Sequence, residues 1–200
     1  MDESELKLLK AQRRDPQSSD VRGVLRFLSE RGISAWVHGG WAVEGLVGKP
    51  LSHQDVDLFV PLEQRQRLEE TLGDRLVVRD KSHVVWNHNF VQIDIVFFLT
   101  YKKNSVIATY RDILWVFPDP RVTNASVLLD GGKIPIVHPA LILAEQEHTV
   151  RKKKRSIPKM LERAALLRAV LSPDEIAISR KLWPRVNSRW NRLLRRVGLL

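Results

Sequence analysis

The segment DVDLFV at residues 55–60 constrains the fold most strongly, because it places two like charges inside an otherwise apolar stretch. Its apolar and β-branched residues predict a buried strand, in which side chains two positions apart point to the same face. Asp55 and Asp57 would therefore stand side by side. Burying two unpaired carboxylates at such close range is costly, and a cation that both of them share is the usual relief.

A third acidic residue occurs in a similar setting. Asp94 lies in the apolar segment QIDIVFF (92–98), which also predicts a strand. If the two strands are neighbours, the three carboxylates form a cluster suited to Mg²⁺, a hard cation that prefers carboxylate oxygens. Three aspartates on adjacent strands are typical of a two-metal phosphoryl-transfer site. Asp94 could alternatively be a strand-end residue that hydrogen bonds alone hold in place.

The remaining pattern predicts an α+β protein. Residues 1–17 are polar and charged and are expected to form a flexible arm, and helices are expected at 18–31, at 41–48 and after Pro61. The predicted strands span residues 33–39, 55–60, 75–80, 83–88, 90–99 and 126–137, of which the last is a hairpin. Beyond Pro139 the pattern is helical, with a capping box at 172–175 and an arginine-rich helix at 184–197. We therefore expect a mixed domain at 18–137 and a basic helical region at 138–200.

Charge and composition limit the classes of function. Residues 151–200 hold 15 of the 33 Lys and Arg residues but only 3 of the 23 Asp and Glu residues. Such a region either contacts nucleic acid or another polyanion, or forms a solvated helical face. The absence of cysteine excludes thiolate metal sites. Because no membrane span or secretory signal is apparent, we expect a cytoplasmic protein without membrane contact.

A Gly-Gly turn precedes the paired aspartates, and the combined pattern resembles that of a known superfamily. Gly39-Gly40 is followed, fifteen residues after Gly40, by Asp55-x-Asp57 and later by Asp94. This arrangement resembles the DNA polymerase β-type nucleotidyltransferases. The segment GGWAVEGLVGKPLSHQDVDLFV most resembles the antibiotic-modifying branch, the aminoglycoside 2″-adenylyltransferases and lincosamide nucleotidyltransferases. The resemblance covers residues 20–100 and implies the nucleotidyltransferase fold, a mixed β-sheet flanked by helices.

The resemblance implies a role for each of the acidic residues. Asp55 and Asp57 would bind Mg²⁺, of which two ions are expected, and Asp94 would either complete the metal site or remove the proton from the attacking hydroxyl. Glu44, where relatives often have Asp, would be either a supporting residue or simply part of a helix.

Nucleotide contacts are implied at four further positions. Gly39 and Gly40 would let backbone amides approach the phosphates, because no side chain blocks them. Lys49 or His53 would reach the phosphates from the following loop. In the helical region, RSIPKMLER (155–163) departs from the relatives' Arg-x-Lys-Asp-type motif at Met160, which leaves a contact from Lys159 open.

The implied reaction is transfer of a nucleoside monophosphate, AMP in the first instance, from a nucleoside triphosphate to a hydroxyl of a small molecule such as an antibiotic, with release of pyrophosphate. Two alternatives are kept. The same chemistry could act on RNA, tRNA or protein through the basic residues 151–200, or the chain could be a non-enzymatic binding module on a retired catalytic fold.

Charge also bears on the acceptor. A polycationic aminoglycoside requires an acidic cleft, for which the candidate residues are Asp112, Asp119, Glu145 and Glu147. The basic C-terminal region argues against such an acceptor. A lincosamide-like compound with little charge fits better, and an RNA end fits the charge best.

Overall fold

A mixed β-sheet forms the centre of the protein. The computed structural model describes residues 13–79, 83–101, 104–109, 113–117, 123–152 and 157–182. Within these ranges the strands are β1 (Trp36–Val37), β2 (Val56–Pro61), β3 (Leu76–Arg79), β4 (His83–His88), β5 (Val91–Tyr101), β6 (Asn104–Thr109), β7 (Ile113–Phe117), β8 (Ala125–Leu129) and β9 (Gly132–Ile136). Their order is β3-β4-β5-β2-β1-β9-β8, and β6 pairs with both β5 and β7. The β2–β5 and β1–β9 pairs are parallel and the other pairs are antiparallel.

Helices pack around this sheet. In the described ranges they are α1 (Ser18–Ser29), α2 (Gly39–Val47), α3 (Arg65–Leu72), α4 (Pro139–Lys152), α5 (Ile157–Val170) and α6 (Pro173–Lys181), with short 3₁₀ turns at Leu62–Gln64 and Gly73–Arg75. The predicted α+β class with a mixed sheet is therefore confirmed. Among the helices of these ranges, none combines the length and the apolar character that crossing a membrane requires.

Strand β2 occupies the middle of the sheet, between β1 and β5. Val56, Leu58, Phe59 and Val60 have no solvent exposure. Burying an apolar side chain of this size contributes about 1.5–3 kcal/mol to folding, so β2 is held firmly on both faces. Residues that β2 carries, or that directly precede it, are therefore presented by one of the most rigid parts of the molecule.

The region before α2 differs from the expectation of a strand at 33–39. Gly32 adopts a left-handed conformation with φ of 66°, and the amide of Ile33 donates back to the carbonyl of Leu28 at 2.9 Å. The amide of Ser34 donates to Oε1 of Gln64 at 2.7 Å. These amides are engaged outside the sheet, which leaves β1 with two residues. Helix α2 then begins at Gly39 itself, without an intervening turn.

The C-terminal helices pack against one another and against α2. Helix α4 packs against α5 and α6, and α2 contacts β2, β8, α4 and α5. At Gly45, an added methyl group would lie 3.0 Å from Cβ of Val127, which shows how closely α2 approaches the β8–β9 hairpin.

Residues 153–156 and the predicted arginine-rich helix at 184–197 lie outside the described residues, as do Asp112 and Asp119.

Candidate active site

Strands β2 and β5 bring together the acidic residues singled out in the sequence. The parallel register places Asp57 directly opposite Asp94, and register partners point to the same face of a sheet. Asp55 precedes β2 by one residue and joins this group from the same strand segment. Its side chain is 36% exposed, whereas that of Asp94 is 21% exposed. The three carboxylates therefore line one cleft of graded depth.

The electrostatics of the cleft oppose three simultaneous negative charges. Burial raises the pKa of Asp57 to about 7. His38 acts in the opposite direction, and Asp55, Asp94 and Glu145 each raise it further. Burial and the neighbouring Asp94 also raise the pKa of Asp55, against the effects of nearby cations. A cation bound in the cleft would therefore reduce the repulsion among these carboxylates.

The donor atoms fit a hard divalent cation. Carboxylate oxygens from two adjacent strands, one partly open to solvent, are the ligands that Mg²⁺ prefers while it keeps water or phosphate oxygens at its other positions. Among the described residues, no group of three or more His, Asp or Glu side chains is placed so that it could hold a metal ion by itself. A metal ion bound here would need further oxygen ligands, such as those of a triphosphate.

Gly39 lies against the deepest carboxylate. It has φ of 63°, and an added methyl group would overlap Oδ2 of Asp57 and approach its Cγ to 2.8 Å. Glycine is the residue that tolerates both the left-handed backbone and the close contact. The carboxylate of Asp57 is thereby placed at the N-terminus of α2, where unpaired amides favour negative charge.

His38, at the residue before α2, was not singled out in the sequence. Its amide donates to the carbonyl of Asp57 at 3.0 Å, and its Nδ1 lies 3.6 Å from Oε2 of Glu145. Burial lowers the pKa of His38, but Glu145, Asp57 and Asp94 together raise it above its ordinary value. The imidazole packs on Phe59 with ring centroids 4.2 Å apart, and the neighbouring carboxylates favour its charged form.

The loop between α2 and β2 is fastened by Glu44. Its Oε2 accepts hydrogen bonds from the amide of Leu51 at 2.6 Å and from Nε2 of His53 at 2.8 Å. The His53 ring stacks on Trp41 at 3.7 Å, and Nε1 of Trp41 donates to the carbonyl of Asp55 at 3.1 Å. Of the two interpretations of Glu44, the structure thus favours a role in supporting the site over a residue that is simply part of a helix.

The two loop residues expected near the phosphates have different settings. Lys49 is exposed on the loop after α2. The His53 residue is 7% exposed, and burial lowers its pKa despite the neighbouring Glu44. Its Nδ1 lies 2.8 Å from the position that a methyl group on Gly40 would occupy, so His53 borders the start of α2. The nucleotide contacts of Gly39, Gly40, Lys49 and His53 stay predictions.

Helix α5 supplies two cations to the same cleft. Arg163 is 7% exposed, donates to the carbonyl of Ser52 at 3.2 Å, and has Nη2 2.8 Å from the position of a methyl group on Gly40. Burial lowers its pKa, while Asp57 and Asp55 favour its charged form. Lys159, one helical turn earlier, is exposed and has its pKa lowered by burial and by Arg163, again against the two aspartates.

The cleft therefore joins carboxylates on the sheet to cations on a helix. The sequence offered a signal for the cations, because positions 159 and 163 are four residues apart and share one helix face. That signal was too weak to identify Arg163, since the segment RSIPKMLER contains several basic residues of equal standing.

Comparisons with known proteins agree with this architecture. A family model described as aminoglycoside-2″-adenylyltransferase matches residues 20–148. A 2″-aminoglycoside nucleotidyltransferase from Escherichia coli is 36% identical over 61 residues, covering 28% of this chain and 34% of that protein. One from Klebsiella pneumoniae is 37% identical over 60 residues, with the same coverage. The chain thus spans about a third of the length of the curated relatives it matches.

Solved structures show the same fold at low sequence identity. The structure of ANT(2″)-Ia in complex with adenylyl-2″-tobramycin has a TM-score of 0.63 at 18% identity, covering 82% of this chain and 95% of that chain. The lincomycin-bound lincosamide antibiotic adenylyltransferase LnuA has a TM-score of 0.62 at 18% identity, covering 79% and 100%. At this identity the likeness supports the predicted fold and carries no residue roles.

Proposed function

The chain belongs to the aminoglycoside-2″-adenylyltransferase family, and on that premise we propose that it transfers AMP from ATP to a hydroxyl of an antibiotic-like small molecule. The observation that carries the proposal is the opposition of Asp57 and Asp94 across β2 and β5, facing cations on α5. This arrangement pairs sites for metal ions with sites for phosphate oxygens. A non-enzymatic module would gain nothing from such a costly carboxylate cluster.

We propose that Asp55 and Asp57 hold Mg²⁺ and that Asp94 either completes that site or receives the proton of the attacking hydroxyl. When bound, Mg²⁺ would neutralise charge on the triphosphate and favour departure of pyrophosphate. The protein's own part is to fix these carboxylates on rigid strands, so that the metal-bound nucleotide meets a preorganised site.

The start of α2 and the face of α5 would hold the phosphates. Gly39 and Gly40 place backbone amides at a helix N-terminus, a setting that binds phosphate oxygens. Arg163 lies beside Gly40, and Lys159 lies at the more exposed rim, so the two cations would bind successive parts of the triphosphate. Lys49 extends this positive surface from the loop after α2.

The reaction then follows from positioning and charge. The acceptor hydroxyl oxygen forms a bond to the α-phosphorus, the bond from that phosphorus to the bridging oxygen of pyrophosphate breaks, and the proton of the hydroxyl passes to a carboxylate or to water. Holding donor and acceptor in line supplies much of the rate enhancement, because a reaction between two bound groups avoids the entropy cost of an encounter.

The acidic residues considered for an aminoglycoside cleft are already engaged where the structure describes them. Glu145 lies beside His38, and Glu147 accepts from Arg168 at 2.7 Å. These pairings reduce the negative charge available to a polycation. They favour an acceptor with few positive charges, so a lincosamide is the first compound to test and an aminoglycoside the second.

The test incubates the protein with each of the four nucleoside triphosphates, Mg²⁺ and a panel of lincosamides, aminoglycosides and tRNA. Pyrophosphate release is measured, and mass spectrometry identifies the modified acceptor. A mass increase of one nucleoside monophosphate on a small molecule supports the proposal. Modification of tRNA instead would favour the nucleic-acid alternative, and failure of every acceptor together with failure to bind metal–nucleotide would overturn the enzyme assignment.

A further inference from the structure

The residues just before α1 are anchored beside the carboxylate cluster. The amide of Arg14 donates to the carbonyl of Phe90 at 3.0 Å, and its guanidinium forms two hydrogen bonds to Asp20 at 2.6 and 2.7 Å. Pro16 is buried. These contacts fix the path of residues 13–17, which the sequence assigned to a flexible arm, across the start of β5.

Arg13 is held at the mouth of the cleft by this path. Its Nη1 donates to Oε1 of Gln92 at 2.8 Å, and its Nη2 donates to the carbonyl of Gln54. The same Nη2 lies 3.7 Å from Oδ2 of Asp55. The Arg13 guanidinium thus links Gln54, just before β2, to Gln92 at the start of β5. Arg13 also lies before the residues that the family model matches, which begin at residue 20.

The contact with Arg13 determines which way the Gln92 carboxamide faces. A guanidinium has only donors, so the carbonyl oxygen of the carboxamide must point towards it. The amide nitrogen must then point the other way, where Nε2 of Gln92 donates to Oδ1 of Asp94 at 2.9 Å. Gln92 and Asp94 are two residues apart on β5 and share a face of the sheet, which makes this contact possible.

The hydrogen bond from Gln92 therefore sets the orientation of the Asp94 carboxylate. Gln92 binds Oδ1 of Asp94 from along the strand, and Nε2 of His83 lies 4.0 Å from the same oxygen. A carboxylate fixed through one oxygen presents the other in a defined direction. Without the amide donor, Asp94 would be free to rotate away from the repulsion of Asp57, its register partner.

We propose that Arg13 and Gln92 form a positioning relay that orients Asp94 relative to Asp55 and Asp57 for nucleotidyl transfer. The inference rests on the proposed function and adds two positioning residues to it. They act through Asp94, and Arg13 additionally holds the backbone of Gln54 next to Asp55.

Four single variants and one double variant test the relay. Arg13→Met and Gln92→Leu each remove it at nearly constant volume. Gln92→Glu keeps an acceptor for Arg13 but turns a second carboxylate oxygen towards Asp94. Arg22→Met is the control, since it removes an arginine contact of α1 to the carbonyl of Leu129, away from the relay. For each we measure kcat, the KM for nucleotide and acceptor, the melting temperature, and Mn²⁺ affinity by electron paramagnetic resonance with a non-hydrolysable triphosphate.

The relay predicts a specific pattern. Arg13→Met and Gln92→Leu should each lower kcat about 10- to 100-fold and weaken Mn²⁺ binding about tenfold, with KM for the acceptor nearly unchanged. Their double variant should lose little more than either alone, because the two residues act as one unit. Gln92→Glu should be at least as impaired as Gln92→Leu, and Arg22→Met should keep kcat within about twofold of the parent while lowering the melting temperature.

Two results would overturn the relay. One is normal kcat and Mn²⁺ affinity in Gln92→Leu. The other is wild-type behaviour of Gln92→Glu, which would show that Gln92 serves only to hold Arg13. Failure of the wild-type protein to transfer nucleotide to any acceptor is a separate result. It would refute the proposed function, and the Mn²⁺ affinities would still report on the orientation of Asp94.

Discussion

Asp57 and Asp94 face each other across the parallel pair of β2 and β5, each on a strand whose neighbouring residues are fully buried. Two carboxylates in this relationship destabilise each other in the metal-free protein. Their closeness is tolerable because His38 and the Arg163 guanidinium of α5 interact favourably with these carboxylates. The arrangement lowers the stability of the metal-free protein. In the proposed function it provides a binding site for a metal-bound triphosphate, and several measurable consequences follow.

Asp57→Asn is expected to abolish turnover while preserving the fold. The amide has the shape of the carboxylate but lacks its charge, so the activity should fall more than about 10²-fold. Removal of a buried, repelled charge should leave the metal-free protein at least as stable as the parent in urea unfolding. A marked loss of stability would show that Asp57 has a mainly structural role.

Gly39→Ala should be harmful and Gly23→Ala beneficial. At Gly39 a methyl group meets the Asp57 carboxylate on a left-handed backbone, which should cost about 1–3 kcal/mol and displace that carboxylate. At Gly23, within α1, nothing lies within 4 Å of an added methyl group, and alanine should stabilise the helix by about 0.5–1 kcal/mol. Urea unfolding measures both effects, and equal effects at the two sites would contradict the packing described at Gly39.

Arg163→Met is expected to weaken catalysis with triphosphates by about 10²-fold in kcat/KM, because a buried cation beside Gly40 is lost. Arg168→Met, on the same helix, is the matched control, since Arg168 is exposed and pairs with Glu147. Steady-state kinetics with varied nucleotide should separate the two. Equal, small effects would place the triphosphate away from α5.

Glu44→Ala should loosen the loop that leads into β2. It removes the acceptor of the Leu51 amide and of His53, and an unsatisfied buried donor costs about 1–3 kcal/mol. A double variant with His53→Ala should be less destabilised than the sum of the single variants, because the two side chains share one hydrogen bond. Strict additivity in urea unfolding would mean that Glu44 and His53 act independently.

The Arg14–Asp20 pair predicts an acid-sensitive contribution to stability. The side-chain hydrogen bond from Arg14 is the main cause that lowers the pKa of Asp20 below its ordinary value of 3.8. The contribution is therefore present above that value and is lost as the pH falls through the lower folded-state pKa. The difference in melting temperature between the parent and Asp20→Asn should be larger at pH 7 than at pH 3, and a difference independent of pH would show that the pair contributes nothing.

Sequence reasoning located the central features of the cleft because their signals are local. Runs of apolar and β-branched residues predicted strands at 55–60 and 90–99. β2 and β5 lie there and carry Asp57 and Asp94, while Asp55 directly precedes β2. The Gly-Gly pair lies at the start of α2, although the helix begins at Gly39, two residues before the predicted start at residue 41. Period and composition suffice for such features, since each depends on a few consecutive residues.

The features that sequence reasoning missed depend on long-range contacts. Arg13 reaches Gln92 and Gln54, and Arg163 reaches Ser52, across separations that no periodicity encodes. His38 becomes significant only once α4 places Glu145 beside it. Just before β1, the amide of Ser34 donates to Gln64 instead of forming the ladder bond that the local pattern favours. Each case needed the tertiary arrangement of elements before the role of the side chain could be seen.

The anchored path of residues 13–17 affects how this protein should be shortened or fused to other proteins. Trimming the chain to the family-matched boundary at residue 20 would retain every strand described above and every helix except the first two residues of α1, Ser18 and Ser19. It would also delete the guanidinium that spans the two strand entries. A shortened form could therefore be well folded and poorly active, so tags are better attached upstream of Arg13 through a spacer.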